Sequence, residues 1–125
     1  AQSDALALLD RPGWHMGADA SAQLRKVLMP LAAYYLAHAK QDGEAADPVA
    51  RFHLGNGASL ERLNWLADTS PRGMQQSAGM MVNYLYSLDD VEENHELYLR
   101  EHQVAASREL RRLASDCPLT QRESR

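Results

Sequence analysis

The sequence predicts an α+β domain, and three patterns carry that prediction. Apolar residues recur at three- and four-residue steps between Ser21 and Lys40, the period of a helix with one buried face. Two shorter apolar runs, Leu60 to Ala67 and Met80 to Leu88, have the length of strands and are separated by a turn-rich stretch. A charged segment from Asp89 to about Ser115 opens with acids and closes with bases, the order that suits one long helix.

Taken in order, the elements read as follows. Leu6, Leu8 and Leu9 predict a short helix over about 3–10, stopped by Arg11-Pro12-Gly13. Leu24, Val27, Leu28, Leu31 and Tyr35 mark the buried face of a helix over about 21–41. Pro30 interrupts it, removing a backbone donor and clashing one turn back, so a kink or a restart is expected there. Asp47-Pro48 starts a helix over about 47–54, because Asp caps free amides and Pro fits the first turn. Gly55-Asn56-Gly57 stops it, since Gly takes the left-handed conformation a helix end needs. His53 therefore falls in a last helical turn beside a tight turn. In the run 80–88, Val82, Tyr84, Tyr86 and Leu88 alternate with Met81, Asn83, Leu85 and Ser87, which is the period of a strand. The run 60–67 fits a helix about as well and is assigned as strand beside its partner. The closing helix spans about 89–115.

Composition narrows the function classes. A chain of 125 residues holds one modest core rather than two domains. With 45% hydrophobic and 24% charged residues it is neither a disordered tail nor a coiled-coil rod. A formal charge of −4 gives no field to attract nucleic acid or anionic lipid, so neither is expected as a partner. The stretch from Asp89 to Arg112 alone carries −3, which makes the acidity one solvated helix face. Cys117, the single cysteine, cannot form an internal disulfide and suits a reducing compartment. A cytoplasmic location is expected, or the mitochondrial matrix in a eukaryote. No run reaches the roughly 18 apolar residues of a membrane span, and the first residues have neither part of a signal peptide. Ala1 is not expected to be the natural start, and the closing Glu123-Ser124-Arg125 is not the peroxisomal Ser-Lys-Leu address.

Most chemical motifs are missing. The sequence has no Cys-x-x-Cys, His-Glu-x-x-His, Walker glycine loop or Gly-x-Ser-x-Gly. Glu92 and His95 have the Glu-x-x-His spacing of di-iron bundles, but none of the other four histidines has a Glu three before it, so no metal site is expected. Arg108, Arg111 and Arg112 read as helix-end charges rather than as a phosphate site. What stands out is Phe52-His53-Leu54-Gly55-Asn56-Gly57-Ala58 with the aromatic pair Tyr84 and Tyr86. The plain reading makes His53 a core histidine and the tyrosines strand packing. The alternative is a ligand site, because a histidine beside a Gly-Asn-Gly turn stands where backbone can approach a ligand closely.

At these residues the chain resembles a known family. The segments Asp47-Pro48-Val49-Ala50-Arg51-Phe52-His53-Leu54-Gly55-Asn56-Gly57-Ala58 and Arg62-Leu63-Asn64-Trp65-Leu66-Ala67-Asp68 look like the C-terminal part of malonyl-CoA decarboxylase. Ser70-Pro71-Arg72-Gly73, Ser77-Ala78-Gly79-Met80-Met81 and Asn83-Tyr84-Leu85-Tyr86 continue the match in the same order, over about Asp47 to Leu88. The resemblance implies the C-terminal portion of an acetyltransferase-like (GNAT-like) mixed sheet flanked by helices, with a separate helical oligomerisation domain absent from these residues. It implies decarboxylation of malonyl-CoA to acetyl-CoA through a thioester enolate, with no cofactor. His53 falls on the family's catalytic histidine, paired with a serine outside this chain, and Tyr86 on a tyrosine lining the same site. His53 is expected to orient the malonyl group, and Asn56, Ser70 and Arg72 are candidates for supporting the turn or the substrate. The expected partners are malonyl-CoA and acetyl-CoA, the remainder of the polypeptide, and a second copy in a homo-oligomer. A GNAT-like acyl-CoA acyltransferase and a non-catalytic helical interaction module are the rival readings.

Overall fold

A computed structural model of the chain describes residues 7–117. The chain enters through two single 3-10 turns, Leu8–Asp10 and Trp14–Met16, separated by the Arg11-Pro12-Gly13 breaker. Of the helix expected over 3–10, residues 7–10 are described and all are helical, Ala7 as α-helix and Leu8–Asp10 as the 3-10 turn, while its first residues lie outside the described range.

Helix α1 (Ala18–His38) follows, and it does not restart at Pro30: the helix is continuous through that residue. The missing proline N–H costs one intrahelical bond, which tertiary packing offsets. Leu24 and Leu28 meet Trp14 in a small cluster, while Met29, Ala33, Leu36 and Ala37 face the main core. Trp65 packs against both clusters and its indole N–H donates to Ser21 Oγ at 3.1 Å. The helix ends at His38 rather than 41, because Lys40–Gln41 (β1) and Glu44–Ala45 (β2) form a two-residue hairpin. Asp42 and Gly43, both at positive φ (57° and 81°), make its turn.

Helix α2 (Pro48–Gly55) begins as the sequence predicts, with the Asp47 carboxylate accepting from Ala50 N–H at 2.9 Å. It stops at Asn56, and Gly57 at φ 91° turns the chain. A side chain at Gly57 would collide with the carbonyl of Val91, so glycine is required there by space as well as by backbone angle.

Strands β3 (Ser59–Asn64) and β4 (Met81–Leu85) pair antiparallel, with Leu60 opposite Tyr84, Leu63 opposite Val82 and a bulge between Leu60 and Arg62. Both are shorter than the expected 60–67 and 80–88. Leu66 takes a left-handed conformation (φ 52°), which ends β3. The stretch between them is a helix, α3 (Pro71–Ser77), where the sequence reading had only turns. Ser70 caps it, its Oγ accepting from Gly73 N–H at 3.1 Å, and Pro71 takes the first position.

The long helix expected over 89–115 is two helices, α4 (Val91–Glu101) and α5 (Arg108–Ser115). His102 turns left-handed (φ 56°) and the chain extends through 103–107. Leu60 N–H donates to Ala105 O and Ser107 N–H to Leu60 O, both at 2.8 Å, so this segment adds a single parallel bridge to β3. Arg108 consequently sits in the first turn of α5, where the helix dipole does not favour it. The architecture is α+β, and the described sheets are two antiparallel pairs, of which β3–β4 is extended by that bridge. Leu24, Leu54, Leu60 and Leu110 are almost wholly buried, each contributing about 1.5–3 kcal/mol by removal from water. Among the described residues no helix is long and apolar enough to cross a membrane.

Candidate active site

Two elements converge on His53. Helix α2 carries it in its last turn, and β4 with its following residue presents Tyr84 and Tyr86. A spacing of two puts both tyrosines on one face of an extended chain. His53 Nδ1 and Tyr86 Oη share a hydrogen bond of 2.7 Å. The imidazole also lies on the ring of Tyr84, with centroids 4.2 Å apart and planes 23° from parallel. Phe52 meets it edge-on at 5.2 Å. His53 is half-buried, while Tyr86 and Phe52 keep 47% and 58% of their surfaces exposed, so the site opens at the surface.

Tyr84 is the anchored member. Burial, then the nearby Asp47 carboxylate and Tyr86, push its hydroxyl up to about 12. It also lines a cleft of about 480 Å3 with Tyr35, Asp47, Val49, Met80 and Val82. A larger groove of about 660 Å3 between α1 and α5 carries charges of both signs, among them Arg25, Lys26, Glu109 and Asp116. None of the candidate residues lines it, and His53 and Tyr86 line neither of these two spaces.

The remaining candidates separate. Asn56 Nδ2 donates to Phe52 O at 2.8 Å, which closes the end of α2. Ser70 is the cap of α3, and its Oγ donates to Asp68 Oδ1 at 2.7 Å while its N–H donates to the same oxygen at 3.1 Å. Those two bonds, the hydroxyl's first, hold the Asp68 carboxyl below its ordinary range. Arg72 is exposed in the first turn of α3. The structure thus gathers His53 and Tyr86 directly and gives Asn56 and Ser70 backbone-capping partners. Tyr84, read from the sequence as packing, is the neighbour that reading undervalued. Its place two residues before Tyr86 was the available signal.

His95 has a different partner from the one Glu-x-x-His spacing suggests. Its Nδ1–H donates to the carbonyl of Gly55 at 2.5 Å, and Asn94 Nδ2 donates to Gly57 O at 3.2 Å. Both tie α4 to the turn after α2. No group of three or more metal-ligating side chains comes together among the described residues.

The model of the malonyl-CoA decarboxylase C-terminal domain family matches residues 1–124. A mitochondrial malonyl-CoA decarboxylase of Anser anser anser is 46% identical over 103 residues, covering 82% of this chain and 20% of the relative. That of Rattus norvegicus is 41% identical over 103 residues, with 82% and 21% covered. A crystal structure of malonyl-CoA decarboxylase from Rhodopseudomonas palustris is 52% identical with a TM-score of 0.85, covering 88% of this chain and 25% of that one. The enzyme structure from Agrobacterium vitis gives 47% identity and the same TM-score of 0.85, over 89% of this chain and 28% of that one. The chain spans about a fifth of the length of the curated relatives it matches.

Proposed function

The chain belongs to the malonyl-CoA decarboxylase family, and from that membership we propose that it is the C-terminal part of a catalytic domain converting malonyl-CoA to acetyl-CoA and CO2. The observation that carries the reading is the 2.7 Å bond between His53 and Tyr86 at a partly open site. A malonyl thioester is a β-dicarbonyl compound, so loss of CO2 leaves a thioester enolate that is its own electron sink. The protein must align the breaking C–C bond with the carbonyl π system, stabilise the enolate oxygen and protonate the α-carbon.

In this mechanism the charged imidazole, protonated on both nitrogens, donates Nδ1–H to Tyr86 Oη and presents Nε2–H. The C–C bond breaks, its electron pair passes into the enolate, and the α-carbon takes the hydroxyl proton of the serine paired at Nε2, whose oxygen takes the Nε2 proton in its place. The neutral ring keeps its Nδ1 proton toward Tyr86 and regains the other from water. Imidazole suits this duty because its ordinary pKa lies near neutrality. Tyr86, accepting from His53, has its own hydroxyl proton to offer the substrate. The serine that pairs with His53 belongs to the rest of the polypeptide. Ser70 Oγ is engaged by Asp68 and Gly73, and Ser77 Oγ donates to the carbonyls of Met80 and Gly73, which supports that placement. Arg72 remains the candidate contact for the substrate's anionic groups.

The fold is proposed to complete itself as a GNAT-like sheet. Supporting this, β4 is paired on one side only among the described residues, and Met81 and Leu85 on its outer face are each 48% exposed. A homo-oligomer, and activity only in the presence of the remaining polypeptide, belong to the same proposal. So does a reducing compartment, cytoplasm or mitochondrial matrix, which the buried thiol of Cys117 fits.

The test is His53→Asn in the full-length enzyme, followed by acetyl-CoA formation from malonyl-CoA. Loss of at least about 100-fold in kcat is expected from removing the proton donor. Activity within a few-fold of wild type, with the fold intact, would overturn the assignment. Acyl transfer to an amine acceptor without CO2 release would favour the acyltransferase reading instead.

A further inference from the structure

We propose that Tyr84 is a positioning residue for this reaction: its ring is the platform that fixes the plane of the His53 imidazole. The inference rests on the role given to His53 above and adds a residue to it. A single hydrogen bond at Nδ1 holds one point of the ring and leaves it free to pivot about that bond. The second constraint is the stack, 4.2 Å between centroids and 23° between planes, which removes the pivot. Held at both an edge and a face, the imidazole presents Nε2 in one direction.

Tyr84 is suited to this because its backbone is held in the sheet. It lies within β4, opposite Leu60, a wholly buried residue of β3. Its ring is half-buried, and its other surroundings are the cleft lined by Tyr35, Asp47 and Val82. Tyr86, by contrast, lies one residue beyond the strand and is 47% exposed, so its hydroxyl is a partner but not a support. An arene face also accepts a cationic ring well, which suits a histidine that must carry a proton before it gives it. The hydroxyl of Tyr84 has no part in this device, and phenylalanine should serve in its place.

The test compares Tyr84→Phe and Tyr84→Met in the full-length enzyme, with His53→Asn as control. Misplacement of a catalytic group by about 1 Å costs up to about 100-fold, so Tyr84→Met should lower kcat about 10- to 100-fold. KM should stay within about 3-fold, because ground-state binding is not what the stack supplies. Tyr84→Phe should stay within about 3-fold of wild type in both. A fall in Tyr84→Phe as deep as in Tyr84→Met overturns the platform, since the hydroxyl would then be the active part. Full kcat in folded Tyr84→Met, while His53→Asn is inactive, overturns the inference and leaves the role of His53 standing. Activity in His53→Asn overturns both. Should Tyr84→Met not fold, the wild-type protein decides: the carbon-bound ring protons of His53 should be shifted upfield by the Tyr84 ring current in histidine NMR spectra. Resonances at random-coil positions overturn the stack.

Discussion

Tyr98 Oη accepts a hydrogen bond of 2.8 Å from the backbone N–H of Ala45, joining α4 to the β1–β2 hairpin across 53 residues of sequence. Both residues are buried, Ala45 completely. Tyr98→Phe keeps the ring, and with it the face over which the Lys40 ammonium lies at 5.9 Å, but strands a buried amide. The expected cost is about 1–3 kcal/mol of stability, read as a lower urea midpoint at unchanged slope. A loss below about 0.5 kcal/mol would show that water reaches the Ala45 amide.

Tyr86→Phe addresses the site. It deletes the partner of His53 Nδ1 at a position half open to water, where a net hydrogen bond is worth about 0.5–1.5 kcal/mol. Turnover of the full-length enzyme should therefore fall by at least about 10-fold while the melting temperature moves by only a few degrees. The opposite pattern, a collapsed melting temperature with unchanged specific activity of the folded fraction, would make Tyr86 a packing residue.

Ser70→Ala separates capping from substrate contact. Losing the cap of α3 should cost about 1 kcal/mol, and kcat/KM of the folded enzyme should stay within about 2-fold. The same change removes the main bond that depresses the Asp68 carboxyl, so its titration should move up toward the ordinary value. Because the folded-state value is depressed, Asp68 adds stability above the ordinary carboxyl pKa and loses it as pH falls through the folded value; Ser70→Ala should flatten that acid limb. A drop in kcat/KM beyond about 10-fold would return Ser70 to the substrate.

On the alkaline side the sign reverses. The Tyr84 hydroxyl is pushed up to about 12, against an ordinary tyrosine pKa of about 10. The folded state then holds its proton more tightly than the unfolded chain. Its contribution is fully present below pH of about 10 and is lost as pH rises toward about 12. The stability of wild type should fall relative to that of Tyr84→Phe across that window. Parallel curves would mean that Tyr84 ionises as freely in the fold as out of it.

What the sequence made legible was what local chemistry decides. Asp47-Pro48 predicts both the start and the cap of α2, and Gly57 its left-handed exit, because those residues act on their own backbone. Ser70-Pro71 carries the same signature for α3 but was hidden among Gly, Thr and Asp, whose turn preference outweighed it. Asp42-Gly43 likewise signals a hairpin, which the apolar period running on toward 41 obscures. The break at His102 was beyond local reading. Glu101 to Ala106 are mostly competent helix formers, and the chain leaves the helix there because Leu60 offers it backbone partners from distant sequence. At the site, the family resemblance pointed to His53 and Tyr86. The stack of His53 on Tyr84 needed the β3–β4 register, which periodicity alone does not fix.

The bonds of Leu60 to Ala105 and Ser107 give this sheet a direction of growth. At that end β3 is engaged on both flanks, by β4 on one and by the 105–107 segment on the other. One open edge of that sheet among the described residues is therefore β4, the strand that carries Tyr84 and leads to Tyr86. Under the proposed function, a strand pairing along that edge would form its ladder directly beside the stacking partner of His53.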